Sequence, residues 1–240
     1  IDLDGATNGR VVATRIGEDA AGGALGNGGD GVSLHDGAVG NRVGGTGAGD
    51  AVVIRASGGA AVRVVDGAAG SHDNAFLSNV IQGNQAGIVL GGGATVVLAA
   101  DALDADAGPN GLQNAPQIDS VLADGATMRI AGRLASEPAA DYRIEFFDDP
   151  GTPAGQSGQG RTLLGALQVT TDADGLVVFT FDAAALAYGA TVTATATRVG
   201  TGGRWLDTSP FAANAVVAAA PQPLGIPGTL TVEENSTAAI

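Results

Sequence analysis

The chain has 240 residues, 45% of them apolar but only 4% aromatic, so a core must be built from Val, Leu, Ile and Ala. Eleven basic residues, all arginine, stand against 25 acidic ones, and the net charge of −14 excludes the basic footprint of nucleic-acid binding and disfavours anionic membranes. With no cysteine, a disulfide framework, a thiolate metal site and a cysteine nucleophile are excluded too, and a divalent cation is the partner such a surface admits most readily.

Up to about residue 100, short apolar runs recur: Val11-Val12, Gly31–Leu34, Arg42-Val43, Val52–Ile54, Val62–Val65, Phe76-Leu77, Val80-Ile81, Ile88–Leu90 and Val96–Leu98. Gly-Asn, Gly-Asp and Asp-Gly steps between them supply the positive φ of tight turns. Helical periodicity is absent, and runs this short suit strands that stack on one another in successive rungs. Asn27, Asn41, Asn74, Asn79 and Asn84 fall at turns, either as isolated turn residues or as a ladder of stacked amides.

The run Arg15–Leu34 and the run Asn41–Thr46 resemble the Asn/Gly-rich repeats of bacterial right-handed parallel β-helix proteins of the pectin-lyase-like superfamily. Asp101–Asn114 resembles the motif with which such helices end before a sandwich domain. The resemblance implies that residues 1–114 are the C-terminal part of a right-handed parallel β-helix. Around Ala51–Arg63 the usual turn signals are replaced, and the rung register there stays open.

From Gln117 the runs lengthen and alternate. Met128, Ile130 and Gly132 alternate with Arg129, Ala131 and Arg133; Tyr142, Ile144 and Phe146 with Arg143 and Glu145; Val192, Ala194 and Ala196 with Thr191, Thr193, Thr195 and Thr197. Val177, Phe179 and Phe181 lie between the last two sets. Period-2 alternation predicts antiparallel strands with one wet face, and Asp172–Gly175 predicts a hairpin turn. The fold class is all-β. Tyr142–Phe147 through Val192–Thr197 resembles bacterial immunoglobulin-like modules, which implies an immunoglobulin-like β-sandwich over residues 115–218. Pro221, Pro223 and Pro227 mark a semi-rigid linker, and Thr229–Ser236 resembles the first strand of a cadherin-like repeat within residues 219–240. That likeness places Glu233 or Glu234 near an interdomain calcium site; an exposed polar linker is the other reading. A chain that starts at Ile1 without Met and stops at Ile240 reads as a piece of a longer protein.

A glycan-cleaving groove would need convergent carboxylates and a base. Asp30, Asp36, Asp50, Asp66 and Asp73, with Arg15, Arg42, Arg55 and Arg63, are the candidates, but most of the acids sit in turn contexts that already account for them. Ser71-His72-Asp73 and His35-Asp36 are adjacent in sequence, which is not triad geometry, and the two histidines make a poor zinc site. Gly91–Gly93 and Gly202-Gly203 lack the lysine of a phosphate loop. Asp172, Asp174 and Asp148-Asp149 read as turn residues.

The pattern with ligand character is Asp101, Asp104, Asp106 and Asn110, hard oxygen donors around a loop that Gly108 lets curl over Ca²⁺; a charged connector without metal is the alternative. Trp205 and Tyr188 are the aromatics suited to stacking on a sugar. These features point to a non-catalytic structural or adhesive module of a large secreted or cell-surface bacterial protein, facing surface glycans or other cell-surface proteins. The alternatives are part of a carbohydrate-active lyase or hydrolase, or a carbohydrate-binding module.

Overall fold

Glycine and aspartate interrupt the first half so often that no strand can run long. The computed structural model describes residues 1–66, 70–92 and 100–221. The first half carries β1 (Asp2–Asp4), β2 (Arg10–Val11), β3 (Arg15–Ile16), β4 (Val32–His35), β5 (Arg42–Gly44), β6 (Val53–Arg55), β7 (Ala60–Val64), β8 (Ala75–Leu77), β9 (Val80–Gln82) and β10 (Ala86–Leu90). They form three small parallel sheets, in the orders β1-β4-β7-β10, β2-β5-β8 and β3-β6-β9. Val32, Leu34, Val43, Ile54, Val62 and Val64, all fully buried, join in one apolar core.

Part of the asparagine ladder forms. Asn41 donates through its amide group and its backbone N–H to Asn74 Oδ1, both at 3.0 Å. Asn74 N–H in turn donates to Asn110 Oδ1 at 3.0 Å. Asn79 and Asn84 each accept a backbone N–H, from Val52 and Ser57, and return a donor to Val43 O and Ile54 O.

The second half carries β11 (Gln117–Asp124), β12 (Thr127–Ala135), β13 (Asp141–Asp148), β14 (Thr162–Thr170), β15 (Leu176–Ala184), β16 (Thr191–Gly200), β17 (Arg204–Thr208) and β18 (Ala215–Ala219). They make one mixed sheet, ordered β14-β13-β16-β18-β11-β12-β15, with β17 on β16. Its ends curl towards each other into a nearly closed barrel. At the seam Gly165 of β14 leaves room for Phe181 of β15, whose ring would lie 2.4 Å from a Cβ there. Phe181 stacks on Phe146 with centroids 4.7 Å apart, and Met128, Ile130, Tyr142 and Ile144 fill the interior.

The all-β class therefore holds, but the expected architecture does not. In place of a right-handed parallel β-helix there are three small sheets whose strands return at uneven intervals. Asp2 pairs with Ser33, 31 positions on, whereas Arg15 pairs with Val53, 38 positions on. In place of an immunoglobulin-like sandwich of two sheets there is a single sheet. Its physical cause is β18, which pairs with β16 on one side (Thr191↔Val216) and runs parallel to β11 on the other (Val121↔Val217). Asp172–Gly175 does form a turn, with Gly175 N–H donating to Asp172 O, but it spans the barrel seam between β14 and β15 and not a paired hairpin. Val96–Leu98 and the linker and cadherin-like segment from 222 onwards lie outside the described residues.

A further correction concerns the wet face. Glu145, Thr193 and Thr197 are fully buried and Thr195 is 2% exposed, although alternation placed all four outward. The first half covers them. Ser78, which follows β8, gives Glu145 its N–H and its hydroxyl, both at 2.8 Å. Thr208 accepts Phe76 N–H, and Phe147 and Phe211 enter the core of the first half. Adjacent side chains on a strand point to opposite faces, so Phe146 serves one core and Phe147 the other.

Candidate functional site

The acidic loop lies where the two halves meet. Asp101 opens a single turn of 3-10 helix, Ala102–Asp104, and accepts the N–H of Ala105 at 2.9 Å. Asp104 takes the left-handed φ of 53° and turns its carboxylate inward. There it accepts Asn114 N–H at 3.0 Å, the Gln113 amide at 2.7 Å and the Ser136 hydroxyl. With its one proton committed to Asp104, Ser136 must accept from Tyr142 OH, 2.7 Å away. Oxygens of Asp101, Asp104 and Asp106 lie within 4.8 Å of one another, so these three carboxylates could take a hard cation. A carboxylate has about four acceptor positions, and three on Asp104 are already filled, which leaves it one for a metal. Asn110 does not join them. It is fully buried, and its amide group donates to Asn74 O and Thr208 O.

Burial pushes Asp104 from 3.8 up to about 6, outweighing its donors, with Asp101 and Asp106 pushing the same way. Burial, then Asp101, also raises Asp106. The sign follows from linkage: a carboxyl raised on folding holds its proton longer in the folded chain. Its contribution to stability is complete below pH 3.8 and is lost as the pH climbs through about 6. Between those limits the urea midpoint of the chain should fall more steeply with pH than that of Asp104→Asn, measured without metal. Parallel profiles would show that Asp104 titrates as if exposed.

The other candidates are dispersed. Asp30 accepts Ala60 N–H and Arg63 Nε, and Asp66 accepts Ser71 N–H. Asp73 pairs with Arg204 at 3.3 Å, and Asp50 closes a turn through its N–H on Gly47 O. Arg15 and Arg55 both reach Glu18. Ser71 is fully buried while the His72 side chain is 55% exposed, so no nucleophile–base pair forms. Tyr188 is 66% exposed between β15 and β16.

Pairing of β1 with β4 creates a grouping that sequence did not reveal. Asp4 sits opposite His35, and the imidazole lies between Asp36 at 2.8 Å and Asp2 at 2.7 Å. The Asp36 bond, then that of Asp2, raises the His35 pKa.

A cleft of about 320 Å³ holds Arg10, Arg42, Arg204 and Trp205. Arg10 was not singled out by the sequence, although the recurrence of Arg-Val at 10–11 and 42–43 marks the two as equivalent positions. No known protein family matches the chain, and no curated protein does. With the strand arrangement above, this removes the likeness to the pectin-lyase-like superfamily and to the immunoglobulin-like modules, and no family match supports the cadherin-like one. Among the described residues no helix is long and apolar enough to cross a membrane.

Proposed function

We propose that this chain is a non-catalytic structural or adhesive module of a large secreted or cell-surface bacterial protein, stiffened by calcium at residues 101–106. The observation that supports the reading is the buried seam between the halves. Glu145 on Ser78, Asn110 on Thr208, and Phe147 and Phe211 in the opposing core tie both halves into one body. A body joined in this way transmits load and fixes the direction in which any following domain points. Of the acids and arginines that a glycan-cleaving groove would need, Asp30, Asp66 and Asp73 and the guanidinium groups of Arg15, Arg55 and Arg63 are held in turns and ion pairs instead. The acidic composition and the exclusive use of arginine fit an exported protein of a GC-rich bacterium.

Calorimetry tests the reading. The chain should melt in one transition with equal calorimetric and van't Hoff enthalpies. Millimolar calcium should raise the midpoint, through a gain in stability of roughly 2.7 kcal/mol at about 100 times Kd. Asp104→Asn with Asp106→Asn should remove most of that response. Two separate transitions would refute the rigid body. An equal shift with magnesium or simple salt would reduce the loop to a charged connector. Turnover of polygalacturonate that survives repurification and disappears in Asp30→Asn or Asp73→Asn would make the protein an enzyme.

A further inference from the structure

In a chain this acidic every arginine should find a carboxylate, and among the described residues all do except Arg10 and Arg42. These two are not scattered. They are register partners in the parallel pair β2–β5, so their side chains leave the same face from strands about 4.8 Å apart. Like charges placed opposite each other on a sheet repel. The Nε of Arg42 is buried and has no hydrogen-bond partner, which adds a desolvation cost. Among the described residues no carboxylate pairs with either arginine to repay these costs.

Both arginines line the 320 Å³ cleft between the halves. The far wall is Arg204 and Trp205 of β17. Arg204 reaches across so far that a Cβ on Gly40 would lie 3.0 Å from its Nη2. Its charge is already met by Asp73, so Arg10 and Arg42 leave the cleft with an excess of positive charge. The Trp205 ring has the Arg143 guanidinium 5.7 Å from its centroid and also borders the cleft. A larger cleft, about 420 Å³, contains Arg55 and Arg161, but Glu18 and Asp148 neutralise them. Unmet positive charge beside an aromatic wall distinguishes the smaller cleft.

We propose that this cleft binds a cyclic organic anion, a sugar-sized ring bearing a carboxylate, with Arg10 and Arg42 taking the carboxylate and Trp205 the face of the ring. Guanidinium groups match a carboxylate through two parallel hydrogen bonds. A volume of about 320 Å³ is at the small end of ligand sites, which suits one ring and not a polymer segment. The repulsion stored in the Arg10–Arg42 pair is then released on binding.

Trp205 is the only tryptophan, so its fluorescence reports on this cleft alone. The full chain is titrated at low ionic strength with glucuronate, with glucose as a ring without charge, acetate as charge without a ring, and tetraglutamate as an acidic peptide. Glucuronate should give a saturable change at millimolar concentration, and glucose and acetate should bind about tenfold more weakly or worse. Arg10→Met, at an exposed position, should weaken glucuronate binding by about tenfold, and Arg42→Met by at least as much. Neither change should lower the melting temperature, because each removes a like-charge neighbour. The proposal fails if glucuronate gives no saturable response or if both variants bind it unchanged. It also fails if acetate equals glucuronate, since the ring would then play no part, or if tetraglutamate binds more tightly, since the site would then belong to an acidic protein segment.

Discussion

Phe147→Ala is expected to destabilise the protein by about 3–5 kcal/mol, although Phe147 belongs to the second half and its ring packs in the core of the first. The residue is 2% exposed and lies edge-on to Phe211, with centroids 5.6 Å apart at 78°. Beside the two rings is a void of only about 10 Å³, bordered by Phe76, Ile81 and Ile88, so the surroundings are close-packed. Truncation would leave a cavity bounded by two different sheets, neither of which can collapse without moving the other. The urea midpoint is the readout, and Val178→Ala, at a position 73% exposed, should change stability by less than about 0.5 kcal/mol. Phe147→Ala and Phe211→Ala together should cost less than the sum of the two, because each single change already empties the shared contact. A cost below about 1 kcal/mol for Phe147→Ala, well under the core range, would mean that the halves do not depend on each other for packing.

The second large effect is expected at Glu145. Its carboxylate is fully buried and accepts Ser78 N–H, the Ser78 hydroxyl and Arg143 Nε at 2.8, 2.8 and 2.9 Å. Removing one member of a buried pair costs about 3–5 kcal/mol. Glu145→Ala falls in that class, because it leaves Arg143, whose side chain is 17% exposed, and the Ser78 N–H without an acceptor. Glu145→Gln keeps an acceptor for Ser78 and should cost less. Arg143→Met with Glu145→Leu should recover only part of the loss: the charge pair is gone, but the Ser78 N–H still lacks a partner. Denaturation of these variants, with Ser78→Ala closing a double-mutant cycle, measures the coupling across the seam. Glu145→Ala that proves neutral would place this carboxylate in water, and the covered face of β13 with it.

By itself the sequence determined the all-β class and the position of most strands in the described residues, but not of β1, β3, β11, β14, β17 or β18. Short apolar runs between glycine, asparagine and aspartate leave few other conformations, and period-2 alternation from Met128 to Ala196 identifies which residues share a face. It also placed Asn41 and Asn74 where a ladder forms, and it put Asp101, Asp104 and Asp106 close enough to share a cation. Only the tertiary structure decided which strands pair and what covers each face. Alternation says that Glu145, Thr193, Thr195 and Thr197 point away from the barrel interior; it says nothing about whether water or another sheet lies beyond. A polar side chain satisfied by a distant partner looks the same in sequence as one satisfied by solvent. For the same reason Asn110 reads as a metal ligand until Asn74 and Thr208 claim its amide. Arg10 and Arg42, 32 positions apart, become neighbours only through the register of β2 on β5. Parallel register is set by packing across the whole half and by the uneven length of its turns, information that no local run of residues contains.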